Sequence, residues 1–295
     1  MSTETQAQYQ FIDKIIQHHL GESTEVRDLE FFYGGNFNLA VRVQLKNADE
    51  YFIKWNQGDH QGLFDAEAKN LDLIGKTSSV SVPRVIGTGT MEEKEYLMME
   101  CIPSGEKAAN YWVDFGEKLA RLHKNTSENG HGLDYTNYIG AAPQINTWNQ
   151  NGIAFFIEHR LRNQLARAIY DRKIDAALEA KFETLFEKLP SLLPNETSAL
   201  IHGDLWSGNA MTNPQGLITL VDPACYFGFR EAELAFTTMF GGFDEAFYEA
   251  YHANFPIEKG FHERIPLYNL YPLLVHVNLF GEGYLPAVKK IVDSY

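Results

Sequence analysis

The chain has 295 residues, with 39 Asp or Glu against 25 Lys or Arg, a formal net charge of −14 and a pI near 5.1. This surplus of acid argues against a nucleic-acid partner, because affinity for a phosphate backbone rests on Lys and Arg that displace counterions. Hydrophobic residues make up 44% of the chain, enough for one large domain or two moderate ones. The two cysteines, Cys101 and Cys225, stand in no zinc or redox spacing and read as the reduced thiols of a cytoplasmic protein. The N-terminus is polar, and no apolar run approaches the roughly 18 residues of a spanning helix, so no membrane partner is expected.

In chain order, Ile12, Ile15, Ile16 and Leu20 share a face at helical spacing and Gly21 ends the pattern, which predicts a packing helix over 6–20. Residues 29–32 and 39–43 read as two strands about Gly34-Gly35-Asn36. A glycine pair there lets backbone N–H groups come close to a phosphate, since no Cβ intervenes; the same pair also makes an ordinary hairpin. A third strand, 50–55, carries Lys54 in an apolar, aromatic run, where a lysine needs a partner. The helix predicted over 64–74 offers Glu67, facing back toward it.

Two more strands are expected at 82–85 and 96–100 around a turn at 88–94, and the proline and glycine of 101–105 suit a linker. Beyond it the pattern turns helical, over 111–123, 155–170 and 174–189, and later over 231–240, 245–255 and 268–280. Between the first two of these helices, 125–150 is rich in Gly, Asn and Thr. It reads as a surface excursion, too polar for a core.

The chemistry concentrates in 200–222, LIHGDLWSGNAMTNPQGLITLVD, a loop followed by a hairpin. Asn209 lies five residues after Asp204, and Asp222 lies eighteen residues after it. That spacing is similar to the catalytic loop and metal-binding acid of protein kinases and related phosphotransferases. A carboxylate such as Asp204 can orient an attacking hydroxyl and take its proton. Mg²⁺ prefers oxygen ligands, which Asn209 and Asp222 offer. His202 has no neighbouring set of zinc ligands and reads as a brace of the loop. Glycine loop, strand lysine and helix glutamate follow in the order of a kinase small lobe, where the lysine grips the ATP phosphates and the glutamate holds the lysine.

The expected fold is therefore α+β and bilobal, like that of protein kinases. A small antiparallel N-lobe with a helix spans 1–100, a hinge 101–105 and a larger, mainly helical C-lobe 106–295. ATP would lie between the lobes, with backbone groups from Glu100 to Ile102 at the adenine edge.

At HGDLWSGN, with Trp206 inside the loop, the sequence resembles the fructosamine kinase family, which shares its fold with aminoglycoside and choline kinases. Further matches are Gly34-Gly35, Phe52-Ile53-Lys54, Phe64 with Glu67, Val82-Pro83, 119–123, 131–134, 146–148, Asp222-Pro223-Ala224 and 230–235, nearly the whole chain. The resemblance implies ATP-dependent phosphorylation of ketoamines at carbon 3 of the sugar, giving an unstable product and so deglycation of proteins or small amines. It assigns Asp204 as base, Asn209 and Asp222 to Mg²⁺, Lys54 with Glu67 to the ATP phosphates, and Trp206 to the acceptor sugar. Glu233 stands where relatives usually carry Asp and would brace the catalytic loop.

Two departures matter. Asn36-Phe37 replace a cysteine that serves some relatives as a redox switch, so no thiol switch is expected there. Gly152 stands near the place of a second aromatic, which suggests a different acceptor pocket. Rival readings are another small-molecule kinase acting on an aminoglycoside, choline or a thiosugar, a silent nucleotide binder, and an enzyme that transfers AMP.

Overall fold

A computed structural model of the chain describes residues 3–32, 39–56 and 62–295. The glycine turn at Gly34 and Gly35, with Asn36-Phe37, lies outside the described residues. Helix α1 (Thr3–Leu20) buries Phe11, Ile12, Ile15 and Ile16. They pack against one face of a five-stranded sheet made of β1 (Val26–Phe32), β2 (Leu39–Leu45), β3 (Glu50–Trp55), β4 (Val85–Met91) and β5 (Lys94–Glu100). The strand order is β1-β2-β3-β5-β4, with every neighbouring pair antiparallel.

Side chains on a strand alternate between faces, and this decides where the lysine goes. Ile53 and Trp55 join the core under α1. Phe52 and Lys54, one residue out of phase, face the opposite side and line a cleft together with Ala40 and Arg42. Helix α2 (Leu63–Lys76) crosses that side of the sheet and packs Leu63, Phe64 and Leu71 on Leu97 and Met99.

The fourth and fifth strands correct the sequence reading. The fourth begins at Val85 rather than ending there, and the turn is only Glu92-Glu93, both at positive φ (52° and 64°). Two residues at positive φ match the twist of an antiparallel hairpin. Met-Glu-Glu-Lys carries no Asn or Gly to announce it.

After Glu100 the chain becomes mainly helical. It contains α3 (Tyr111–His123), the hairpin β6 (Asn137–Ile139) and β7 (Ala142–Gln144), α4 (Gly152–Phe155), a π-helical stretch (Phe156–Arg162), α5 (Asn163–Tyr170) and α6 (Ala176–Leu192). Then follow β8 (Ala199–Ile201), β9 (Ala210–Thr212), β10 (Ile218–Leu220), β11 (Tyr226–Gly228), α7 (Arg230–Thr237), α8 (Glu245–Asn254), α9 (Phe261–Phe280) and α10 (Leu285–Val292). The helix expected over 231–240 stops at Thr237, and a 3₁₀ turn follows. Among the described residues no helix is long and apolar enough to cross a membrane.

The polar segment 125–150 is the larger correction, because it is only in part a surface excursion: Thr126, Glu128 and Asn129 are exposed, but between His131 and Asn146 many side chains turn inward. Asn137, Gln144 and Asn146 are at most 2% exposed, and His131, Leu133 and Ile139 are buried beside them. Burying an amide is unfavourable only when its hydrogen bonds are left unmade. Here the amides satisfy one another: Gln144 and Asn146 both donate to Asn137 Oδ1, at 2.8 Å each.

Candidate active site

Two short hairpins and the loops between them build the site. β8 pairs with β11 and β9 with β10, so the loop after Ile201 and the loop after Leu220 leave the same side of the C-terminal part. The two loops are stitched together: Ala224 N donates to His202 O at 2.9 Å and Val221 N to Asn209 O at 3.1 Å. Gly203 has φ +84°, and a Cβ there would run into the Ala224 carbonyl, so the close approach requires glycine. His202 is fully buried and spans the two loops through Nε2 and Val221 O, 2.9 Å apart, which is the bracing role read from its sequence position.

Glu233, on α7, secures the loop from below. Its Oε1 accepts Gly203 N at 2.7 Å, and its Oε2 accepts His202 N at 3.1 Å and pairs with His123 Nε2 at 2.7 Å. Burial works against its charge, but the His123 hydrogen bond, the nearby His123 and His202 rings and the Gly203 amide outweigh it and hold its pKa below the usual value. The brace ascribed to Glu233 is thus made by direct hydrogen bonds. His123 is the member of this arrangement given no role by the sequence.

Asp204 follows the braced turn. Asn209 Nδ2 donates to its backbone oxygen at 2.8 Å and to its Oδ2 at 3.1 Å. Burial pushes the Asp204 carboxyl up to about 8, opposed by the Asn209 hydrogen bond and aided by the charges of Asp222 and Glu233. Asp222 sits at φ +56°, a conformation that Asp tolerates better than most side chains. Its half-exposed carboxylate pairs with Lys54. Lys54 is also 2.8 Å from Glu67 Oε1, so the predicted pair is formed. Burial opposes the Lys54 charge, yet Asp222 and Glu67 together raise its pKa above the ordinary lysine value.

These groups surround a cleft of about 710 Å³ between the sheet and the helical part. Lys54, Glu67, Glu100, Ile102, Asp204 and Asp222 all line it. Met211 and Val221 on one side and Ala40, Phe52 and Met99 on the other give it apolar walls near 100–104. The volume suits a drug-sized ligand with a flat apolar portion and a charged end.

For a cation, Asp222 offers a carboxylate on the cleft wall, and Asn209, just behind the wall and hydrogen-bonded to Asp204, offers an amide oxygen beside it. They are hard ligands of the type Mg²⁺ takes, and two of them leave most of the coordination to phosphate and water. The donor set therefore fits Mg²⁺ carried in with a nucleotide. Among the described residues no group of three or more His, Cys, Asp or Glu is arranged to hold a metal by itself.

Trp206 does not line the cleft. It is 37% exposed within the loop that follows Asp204, 5.9 Å from the ring of Phe240 in an edge-on contact, and so is not a core residue. Phe240 in turn contacts the His276 ring at 5.2 Å, and His276 contacts Phe280 at 5.3 Å and Tyr284 at 5.0 Å. Gly152 does not line this cleft; it is buried where a Cβ would meet His131 and Phe229. The sequence reading also missed Asn70, Asn137 and Gln144, which stand behind Asp222. For Asn137 and Gln144 the one signal was a run of polar residues, which pointed to the surface; Asn70, three residues after Glu67 on α2, lines the cleft and gave no signal beyond that spacing.

The fructosamine kinase family pattern matches residues 8–295. A "probable ketoamine kinase" of Synechocystis is 37% identical over 296 residues, covering 100% of this chain and 99% of that protein. The chloroplastic protein-ribulosamine 3-kinase of Arabidopsis thaliana is 36% identical, covering 93% and 84%. Among solved structures, a protein designated fructosamine-3-kinase from Thermobifida fusca superposes with a TM-score of 0.86 at 30% identity, covering 96% and 97%. An aminoglycoside phosphotransferase at 17% identity and a TM-score of 0.62 covers 96% and 98% and shares the fold.

Proposed function

The chain belongs to the fructosamine kinase family and is a phosphotransferase; from that premise we propose that it transfers the γ-phosphate of ATP to the 3-hydroxyl of ketoamines. The acceptors are fructosamine or ribulosamine adducts of proteins or small amines, and the reaction serves deglycation in the cytoplasm. One observation carries the reading: the Lys54–Glu67 pair, Asp204 and Asp222 line the same cleft, with Asn209 hydrogen-bonded to Asp204 just behind its wall.

In this reading the adenine lies between the apolar walls near Glu100 and Ile102, and the phosphates point toward Lys54. Lys54 balances phosphate charge, and Glu67 fixes its ammonium so that little reorganisation accompanies the reaction. Mg²⁺, held by Asn209 and Asp222, would offset the charge on the phosphate oxygens. Asp204 accepts the proton of the acceptor hydroxyl as its oxygen bonds to the γ-phosphorus and the bond to the β–γ bridging oxygen breaks, releasing ADP. Asp204 lines the cleft with its carboxylate held by the Asn209 amide, which fixes the direction from which it can accept the hydroxyl proton. Trp206, exposed beside Asp204, offers an aromatic face to the C–H side of the sugar.

The test is ATP consumption with Mg²⁺ against fructosyl-lysine, ribulosyl-lysine, free sugars, choline and an aminoglycoside, with Asp204→Asn as control. Turnover confined to the two ketoamines and reduced roughly 10²- to 10⁴-fold in the variant is the expected result. Turnover on choline or the aminoglycoside instead, or full activity in Asp204→Asn, refutes the reading.

A further inference from the structure

The three residues that follow Asp222 present their backbone carbonyls in succession to three buried side-chain amides. Asn70 Nδ2 donates to Pro223 O at 2.7 Å, Gln144 Nε2 to Ala224 O at 2.9 Å and Asn137 Nδ2 to Cys225 O at 2.7 Å. Each of the three amides is at most 1% exposed. The amides are themselves held by a further ring of donors. Tyr135 Oη donates to Asn70 Oδ1 at 3.0 Å, and Tyr271 Oη to Gln144 Oε1 at 2.7 Å. Asn146 reaches Asn137 Oδ1, and the buried Arg160 fixes Asn146 Oδ1 at 2.6 Å.

We propose that Asn70, Gln144 and Asn137 are positioning residues for Asp222, clamping the backbone behind it so that its carboxylate meets Mg²⁺ in one fixed geometry. The inference rests on the reading of Asp222 as a cation ligand. It goes beyond that reading by assigning the placement of Asp222 to side chains from three other elements.

Two features distinguish a positioning role from general packing. The clamped carbonyls belong to the residues immediately after a ligand held at positive φ, so any slack in them is passed to the carboxylate. Asn70 also stands one helical turn after Glu67 on α2. The same helix therefore sets the partner of Lys54 and the backbone of Asp222, and the two sides of the phosphate site keep a common register. A freed segment would sample other arrangements, and apparent cation affinity would fall by the fraction of time spent in them.

The experiment measures binding of a non-hydrolysable ATP analogue to the full chain by calorimetry, in excess Mg²⁺ and in EDTA. The readout is the ratio of the two affinities. Asp222→Asn should lose the Mg²⁺ enhancement. Asn70→Leu, which keeps the branched shape but removes the amide and adds bulk, as the Asn269→Leu control also does, should lose at least fivefold of it while its affinity in EDTA stays within twofold. Asn269→Leu removes a buried amide bond to Ala235 O remote from the cleft and should keep the enhancement.

An enhancement retained in Asn70→Leu but lost in Asp222→Asn overturns the inference and leaves the ligand reading standing. An enhancement retained in Asp222→Asn overturns both. Equal losses in Asn70→Leu and Asn269→Leu reduce the effect to general destabilisation and overturn the inference. Should Asn70→Leu fail to fold, Gln144→Leu decides the matter by the same criterion.

Discussion

Replacing Glu233 by Gln changes the brace under the catalytic loop with almost no change in volume. The carboxylate now serves the N–H groups of His202 and Gly203 and the ring of His123. An amide has only one acceptor oxygen, so whichever way it turns, its NH₂ faces at least one backbone N–H. A buried donor left without a partner costs about 1–3 kcal/mol, and hydrogen bonds that lose a charged acceptor fall to roughly half strength. Together these put the loss of stability at about 2–4 kcal/mol. The disturbed turn is His202-Gly203, directly before Asp204, and misplacement of a catalytic group by about 1 Å lowers turnover on the order of 10²-fold. Thermal unfolding and steady-state kinetics on the same preparation would show both, with a Tm lower by roughly 4–10 °C. A Glu233→Gln variant within about 0.5 kcal/mol of the parent and with unchanged kcat would refute the argument.

Other outcomes follow from the same structure. Lys54→Met should lower kcat/KM for ATP by at least about 10²-fold by removing the charge that meets the phosphates, and a variant with normal ATP kinetics would remove Lys54 from that role. Trp206→Ala should raise the acceptor KM by about tenfold through lost ring contact with the sugar, leaving the ATP KM and Tm nearly unchanged; a matching fall in Tm would make it a packing residue. His131 is 3% exposed with both ring nitrogens unpartnered among the described residues, and burial depresses its pKa to about 4. The unfolded chain binds that proton more readily, so the stability this neutral ring supplies is complete above about pH 6.5 and lost progressively toward pH 4, by up to about 3 kcal/mol. Urea unfolding across that range should be less acid-sensitive in His131→Leu, and an identical slope in both proteins would count against the assignment.

The sequence determined by itself whatever depends on near neighbours along the chain. Period-two alternation in 50–55 sent Lys54 to the face opposite Ile53 and Trp55, because a strand allows no other arrangement. Asp204 and Asn209, five residues apart, meet within one loop, so their spacing already implied their contact. The tertiary structure alone decided which polar residues would be interior. Asn70 and the Pro223 carbonyl it serves are 153 positions apart, and Asn137 and Cys225 are 88 apart. Whether an amide can be buried depends on whether a partner is waiting for it. Composition therefore sent Asn137, Gln144 and Asn146 to the surface, and distant partners drew them into the core behind Asp222. Trp206 is the converse, a large apolar side chain that the fold leaves exposed because the loop carrying it is fixed from its other side by Glu233 and His202.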